Sequence, residues 1–189
     1  MNNISQRIRQ VAWAVSAAIS NNKINIEIIN KELNDAERRL FYAMSNVDQY
    51  HSYRVYLTVE ALIKADKEAK LIKKAALLHD IGRQNGDFPI LHKIFSVIVD
   101  RFLNFKPAIE KREIIERIII NKRPYFLYIY YYHPQLSKLL LEGIGSDNDL
   151  IYLVEQHHGN FNNYYKKDKK QNNYNERLLQ LLQKADALN

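Results

Sequence analysis

Residues 69–82 read AKLIKKAALLHDIG, and this stretch decides the fold class. From Ala69 to His79 the apolar residues recur at helical spacing and cover most sides of the helix, which is typical of a central helix enclosed by neighbours. Gly82 follows where a helix end favours a residue that tolerates positive φ. The stretch therefore predicts a buried helix that ends at the pair His79-Asp80.

The overall composition favours the same class. The 189 residues include only 5 Gly and 4 Pro, so turn signals are few, and the 47% of apolar residues is enough to build a sizeable core. We therefore predict an all-α fold.

Helical signals continue on both sides of the central stretch. Apolar spacing from Ile4 to Ser20 predicts an amphipathic opening helix rather than a secretory leader. The other predicted helices are 24–31, one that begins at Asn34 or Asp35 and ends near Met44, the helix that carries His51, then 91–103, 107–121, 134–142, 149–156 and 176–188.

The secondary structure of the segment Tyr125–Tyr132 is ambiguous from the sequence. Six of its eight residues are Tyr or Phe, which on propensity alone would suit a β-strand. Because no second strand is available to pair with it, we interpret it as a loop that leads into a helix, with aromatic rings around a functional site. Pro134 is then expected at the first helical position.

Cysteine is absent from the chain. A disulfide framework and a thiolate zinc site are therefore excluded, and any metal ion must be held by imidazole and carboxylate groups. The longest apolar N-terminal stretch is shorter than a membrane span, so a cytoplasmic protein without membrane contact is expected.

The formal net charge of +7 would attract nucleic acid, acidic lipid or a phosphorylated small molecule. Much of the excess charge lies in a lysine run that we interpret as a solvated loop: Lys166, Lys167, Lys169 and Lys170. No nucleic-acid-binding motif accompanies this charge, so contact with nucleic acid is the less favoured interpretation.

Residues of the metal-ligand type occur at the ends or inner faces of five predicted helices. They are His51, His79, Asp80, His133, His157, His158 and Asp186. A single histidine is more often structural than a ligand, so only the set supports metal binding. Side chains of adjacent helical residues point about 100° apart, so His79 and Asp80 can serve or bridge two metal ions but cannot chelate as an i, i+4 pair.

The same residues carry a family resemblance. His51, the tetrapeptide His79-Asp80-Ile81-Gly82 and Asp186 resemble the H…HD…D signature of HD-domain metal-dependent phosphohydrolases in its HDIG form. The fuller set, with His133-Pro134, Leu139-Leu140 and His157-His158, is similar to the HD-GYP branch. The resemblance implies an HD-domain-like helical bundle over residues 45–189, preceded by a small helical appendage over residues 1–44.

The resemblance also implies roles for these residues. One divalent metal ion would be bound by His51, His79, Asp80 and Asp186, and a second by His133, His157 and His158 together with Asp80 as the bridge. Iron, manganese, zinc and magnesium all suit such ligands. Asp80 and Arg83 would be catalytic residues, and Arg83, or else Lys93 or Lys122, would contact the phosphate of the substrate. His92 fits no position of the pattern and is expected to lie outside the site.

Two departures from the family pattern affect the choice of substrate. Arg83 stands where many relatives have lysine, so that a planar fork of donors replaces a point charge. Gly159, Asn160 and Phe161 follow the paired histidines where the HD-GYP branch has a glutamate, and the Gly-Tyr-Pro segment is absent. The missing glutamate and the missing Gly-Tyr-Pro segment argue against hydrolysis of cyclic di-GMP, whereas a cationic phosphate contact survives the change to Arg83.

Three functions stay open at this level. The leading hypothesis is a phosphohydrolase that cleaves a nucleotide or another small phosphate ester with metal-activated water. The alternative is a catalytically degenerate HD-type module that binds a nucleotide without turning it over, and the third is a basic helical protein associated with nucleic acid. The spacing of the residues does not predict the oligomeric state.

Overall fold

The structure is a computed structural model that describes residues 24–63, 67–84, 90–158 and 173–189. Within these ranges the helices are α1 Ile26–Glu32, α2 Asp35–Tyr42, α3 Asn46–Leu62, α4 Lys67–Leu78, α5 Ile90–Leu103, α6 Ala108–Asn121, α7 Tyr125–Gly143, α8 Asn148–Gln156 and α9 Asn173–Leu188. The only β-type pairing in these ranges is an isolated bridge between Met44 and Gln84. The predicted all-α fold is confirmed.

Polar side chains cap several helices, and Asn34 does so at the predicted place. Asn34 accepts a hydrogen bond from the backbone of Glu37, whose carboxylate accepts one in return, and this forms a capping box at the start of α2. Ser45 caps α3 and Asp147 caps α8. The last helix was predicted too short, because α9 begins at Asn173 instead of Glu176.

The prediction for the tyrosine-rich segment was wrong in one respect. It is not a loop: α7 is continuous from Tyr125, and Pro134 lies inside the helix and not in its first turn. The segment is helical because its apolar residues line one face. Leu127, Tyr128 and Tyr131 are buried there, and tertiary burial outweighs the strand propensity of the aromatic residues.

Helix α4 is the centre of the main core. Five of its residues are fully buried: Ile72, Ala75, Ala76, Leu77 and Leu78. Helices α1, α2, α3, α8 and α9 pack against α4, and Leu141 near the end of α7 joins the same core. Ile29 and Phe41, from the predicted lead-in, are buried in this core as well, so α1 and α2 are integral to its packing.

A second core lies between α5, α6 and the first half of α7. Its buried members are Leu103, Ile115, Ile118, Leu127, Tyr128, Ile129 and Tyr131. Helix α7 thus contributes to both cores, with His133 between its two contact regions. Most of the predicted aromatic wall belongs to this second core.

Several sequence predictions fall outside the described ranges. These are the opening helix at residues 4–20 and the segment 159–172, which includes Gly159, Asn160, Phe161 and the lysine run. Among the helices of the described ranges, none has both the length and the apolar character that a membrane span requires.

Candidate metal centre

Two residues of the metal-ligand type, His79 and Asp80, directly follow the end of the central helix. Helix α4 stops at Leu78, and the chain then turns through His79, Asp80, Ile81 and Gly82. His79 and Asp80 are each only 1% exposed, although both are polar. Burial of two such groups costs free energy unless they have partners, so this turn is a candidate functional site.

Gly82 allows the turn to lie against α7. A Cβ atom at this position would be 2.2 Å from the backbone oxygen of His133 and 2.9 Å from the backbone nitrogen of Ser137. The Gly82 N–H donates to Ser137 Oγ at 2.8 Å, and that hydroxyl donates to the backbone oxygen of His79 at 3.1 Å. The expected positive φ at Gly82 was wrong, because close backbone approach explains the glycine instead.

All seven predicted ligand residues come together, and they form two groups. The first holds Asp80, His133, His157 and His158, and the second holds His51, His79 and Asp186; in each group one ligand atom per residue lies within 4.8 Å of every other. The residues come from α3, α7, α9 and the turns after α4 and α8, so helices far apart in sequence assemble the site.

Asp80 lies between the two groups and presents one oxygen to each. Its Oδ1 is 3.1 Å from His133 Nε2 and 3.8 Å from His157 Nε2. Its Oδ2 is 3.6 Å from His79 Nε2 and 3.9 Å from His51 Nε2. Neighbouring ligands that each hold a metal ion at about 2.0–2.2 Å are separated by about 3–3.6 Å, which is close to these spacings.

Asp186 completes the second group from the last helix. Its Oδ1 is 3.0 Å from His51 Nε2 and 3.7 Å from His79 Nε2. In the first group the Nε2 atoms of His133 and His158 are 3.1 Å apart.

Backbone carbonyls fix the protonation of three imidazoles. The Nδ1 atoms of His79, His133 and His157 donate to carbonyl oxygens one turn earlier in their own helices, at 2.9 Å, 3.0 Å and 2.6 Å respectively. A neutral imidazole with its proton on Nδ1 has its lone pair on Nε2. The Nε2 lone pairs of His79 and His157 are therefore available to a metal ion, whereas that of His133 accepts from Arg83 Nη2. The carbonyl partners hold all three rings in place.

Pro134 leaves one of these carbonyls, that of Tyr130, without its usual helical donor. In a regular helix the N–H of residue 134 would donate to the Tyr130 oxygen, but proline has no N–H. That oxygen accepts from His133 Nδ1 instead, at 3.0 Å. The proline inside α7 thus leaves an acceptor free for the histidine beside it.

We expect Pro134→Ala to separate stability from metal affinity. The new N–H competes with His133 for the Tyr130 oxygen, so metal affinity should fall by about tenfold, while the free energy of unfolding should rise by at most about 3 kcal/mol. Calorimetric metal titration and urea denaturation measure the two effects. Leu139→Ala, an exposed change on the same helix, serves as the control. Unchanged metal affinity in Pro134→Ala would show that the Ile129 oxygen, which is 3.1 Å from His133 Nδ1, is enough to hold the imidazole in place.

The charges of the site favour the forms that bind metal. Burial alone would raise the pKa of Asp80, but Arg83 and the imidazoles of His79 and His133 outweigh it and hold that pKa well below the usual range. Burial and the neighbouring imidazoles lower the pKa of His157, and burial together with Arg83 lowers the pKa of His133. The result is a carboxylate that faces the neutral imidazoles of His133 and His157. His51 differs, because burial lowers its pKa but the hydrogen bond and charge of Asp186 outweigh burial and raise that pKa.

Three buried atoms of the site have no hydrogen-bond partner among the described residues: His79 Nε2, His157 Nε2 and Asp80 Oδ1. Leaving such an atom unpaired costs about 1–3 kcal/mol. All three atoms face the two groups of ligands and are of the type that binds first-row divalent cations. The residues therefore fit divalent metal ions on their own chemistry.

A cluster of charges adjoins this centre. Arg83 Nη1 is 2.6 Å from Asp80 Oδ2, and Arg83 Nη2 donates to His133 Nε2 at 3.2 Å. Lys93 Nζ is 2.5 Å from Asp48 Oδ1, and Arg83 Nη1 is 4.0 Å from the same oxygen. Asp48 was not predicted to belong to this cluster. Its place in the first turn of the helix that carries His51 was the only feature of the sequence that pointed to it.

Two other sequence predictions can be placed. His92 stacks on Phe126, with ring centroids 5.2 Å apart, and belongs to neither group of ligands, as expected. Lys122 is exposed at the C-cap of α6, which packs on α7, so nothing in its position supports the predicted phosphate contact.

Comparison with known proteins gives one result. The family model for the HD domain matches residues 49–189, which include both groups of ligands. No curated protein and no solved structure shows significant similarity to the chain.

Proposed function

Since the chain belongs to the HD-domain family, we propose that it is a metal-dependent phosphohydrolase that cleaves a small phosphate ester, with a nucleotide as the favoured substrate. The proposed ligands of one ion are His51, His79, Asp80 and Asp186. Those of the second are Asp80, His133, His157 and His158.

The observation that carries this proposal is the position of Asp80. Each of its oxygens faces a different group of imidazoles, as a carboxylate that bridges two cations must. A single structural ion would not explain why the lone pairs of His79 and His157 both point into the cluster without partners. We therefore assign Asp80 as the bridging ligand of a binuclear site.

Divalent ions held in this way supply Lewis acidity, which acidifies water and neutralises charge on a phosphoryl oxygen. The chain contributes the arrangement. The buried carboxylate of Asp80 and the carbonyl-anchored imidazoles fix the ligands without further ordering during the reaction. His158 is exposed, so the cluster is open to solvent and substrate on that side.

Arg83 is proposed to contact the phosphate. Its Nη2 donates to His133 Nε2, the same atom that would bind a metal ion. When that lone pair is taken by a cation, Nη2 loses its acceptor and becomes available to a phosphoryl oxygen, while Nη1 stays anchored on Asp80. Arg83 would then orient the ester and stabilise negative charge on its phosphoryl group.

The proposal is tested by metal analysis of the purified chain, combined with a screen of nucleotides, cyclic dinucleotides and simple phosphomonoesters. We expect about two divalent ions per chain and release of phosphate or of a nucleotide product, both abolished in Asp80→Ala. A chain that binds no metal under any loading condition would refute the hydrolase. A chain that binds metal and nucleotide but leaves every ester intact would be a binding module instead.

A further inference from the structure

Helix α5 has a second apolar face, on the side away from the core. On its inner side Ser96 and Leu103 are buried, and Leu103 belongs to the second core. Four large apolar side chains on the outer side are between 44% and 76% exposed, and we call them the phenylalanine face: Phe95, Ile98, Phe102 and Phe105. A surface helix normally has one apolar stripe and a polar opposite side, so a second stripe indicates a contact surface.

The phenylalanine face is continuous along the chain. Positions 95, 98 and 102 are three and four residues apart and so share one side of the helix. Helix α5 ends at Leu103, but the Phe105 N–H donates to the Phe102 oxygen at 3.2 Å, so the chain makes one more turn and Phe105 extends the face. The Arg101 guanidinium lies over the Phe105 ring, 5.8 Å from its centre, and stabilises this exposed ring.

The spacing of the face is the same when read from either end. The gaps are three, four and three residues, which is the a/d spacing of helices that pack side by side. If two copies of α5 run antiparallel about a two-fold axis at the level of position 100, Phe95 lies opposite Phe105 of the second copy. Ile98 then lies opposite Phe102 of the second copy. Each pair occurs twice, as a two-fold interface requires, so the face is complementary to itself.

The size of the face also suits a stable dimer. A large side chain of this kind presents about 200 Å², so the exposed fractions of the four residues leave about 500 Å² of apolar surface. Homodimer interfaces are about 65% apolar, which corresponds to about 750 Å² per chain and about 1,500 Å² in total. Stable complexes bury about 1,200–2,000 Å², so the face is large enough to be the centre of such an interface.

The charges beside the face favour a protein partner over a lipid surface. Lys106, next to Phe105, is paired with Glu110, and Lys111 Nζ lies 3.0 Å from Asp100 Oδ1. Attraction to an anionic membrane relies on cations that contact the lipid headgroups. Pairing of these lysines with carboxylates of the same chain weakens that attraction and leaves the apolar contact unaffected.

We propose that the phenylalanine face is the contact between two copies of this chain, which pack their α5 helices antiparallel about a two-fold axis. Lys93 precedes Phe95 by two positions and therefore lies about 160° around the helix from it, where its Nζ contacts Asp48 at 2.5 Å. The dimer thus uses the side of α5 opposite to the one that adjoins the metal centre. This inference goes beyond the proposed function, because association can be measured without substrate.

Sedimentation velocity of the full chain should show a particle of twice the chain mass of 22.4 kDa at micromolar concentration. Phe102→Glu should raise the dissociation constant of the dimer at least about a hundredfold, because both copies bring a charge to the centre of the interface. Its circular dichroism and metal content should not change, since Phe102 is exposed within one chain. Ile120→Glu places the same charge at an exposed apolar position of α6 and should remain dimeric.

Cysteine cross-linking tests the antiparallel arrangement, and the natural chain has no cysteine that could interfere. Phe95→Cys and Phe105→Cys chains, mixed and mildly oxidised, should form a disulfide between copies because the two positions face each other. Phe95→Cys alone should not, since its two copies would be about 15 Å apart along the helices and a disulfide needs Cα atoms within about 7 Å. These variants also test the dimer if Phe102→Glu proves unstable.

Each outcome supports or overturns the dimer. A chain that stays monomeric at micromolar concentration overturns it, and so does a dimer that Phe102→Glu leaves intact. Self-linking of Phe95→Cys as efficient as that of the mixture would overturn the antiparallel arrangement. If a monomeric chain instead sediments with vesicles of phosphatidylcholine and phosphatidylserine, and Phe102→Glu abolishes this, the face is a membrane contact and the dimer is wrong.

Discussion

Asp80→Asn should remove the bound metal and, with it, the hydrolytic activity. Asparagine has the same shape but carries no charge, and its nitrogen cannot bridge, so both groups lose the ligand that they share. Losing the several kcal/mol that metal ions contribute to a hydrolytic transition state corresponds to at least about a thousandfold lower rate. Metal analysis and phosphate release from the best substrate of the screen measure the two losses.

Asp100→Asn is the matched control for this variant. Asp100 is a second buried aspartate, which accepts from Lys111 at 3.0 Å and from Tyr131 at 3.2 Å near the second core. The same change there should lower stability but leave the metal content at its original value. If Asp80→Asn retained two ions, Asp80 would not be a bridging ligand. The two groups of residues would then be independent metal sites.

Gly82→Ala should be the most destabilising small change in the protein. The added Cβ would lie 2.2 Å from the backbone oxygen of His133, and helix backbone cannot yield as the end of a side chain can. The turn and α7 must separate, with loss of the Gly82–Ser137 hydrogen bond, at a cost of more than about 3 kcal/mol. Urea denaturation should show this loss, and metal affinity should fall because His79 and His133 move apart.

Gly143→Ala provides the comparison, since a Cβ at the last residue of α7 would meet nothing within 4 Å. That variant should be neutral or more stable by up to about 1 kcal/mol, because alanine favours the helix. Equal stability of Gly82→Ala and Gly143→Ala would mean that the turn can retreat from α7 without strain.

The parts of the fold that sequence patterns predicted are those governed by burial of local apolar faces. Helix α4 was recognisable because apolar residues surround it, and the side chain of Asn34 indicated a helix start. The proposed ligand residues were recognisable as a set, because His79-Asp80 and His157-His158 each follow a helix that the pattern already placed.

The features that sequence patterns did not predict depend on contacts between distant segments. Gly82 was read as a local turn residue, yet the reason for it is α7, more than fifty residues away. Pro134 was placed at a helix start because proline rarely stands inside one, and only the hydrogen bond from His133 explains it. Asp48 belongs to no motif, and its contacts are with Lys93 and Arg83 on other segments.

His51 and Asp186 are 135 positions apart in the sequence, and this separation has a consequence for biosynthesis. His51 is synthesised before α4, α7 and α8, whereas the carboxylate that pairs with it is made only with α9. A nascent or truncated chain thus lacks one proposed ligand, and its metal capture should be weak until α9 has docked.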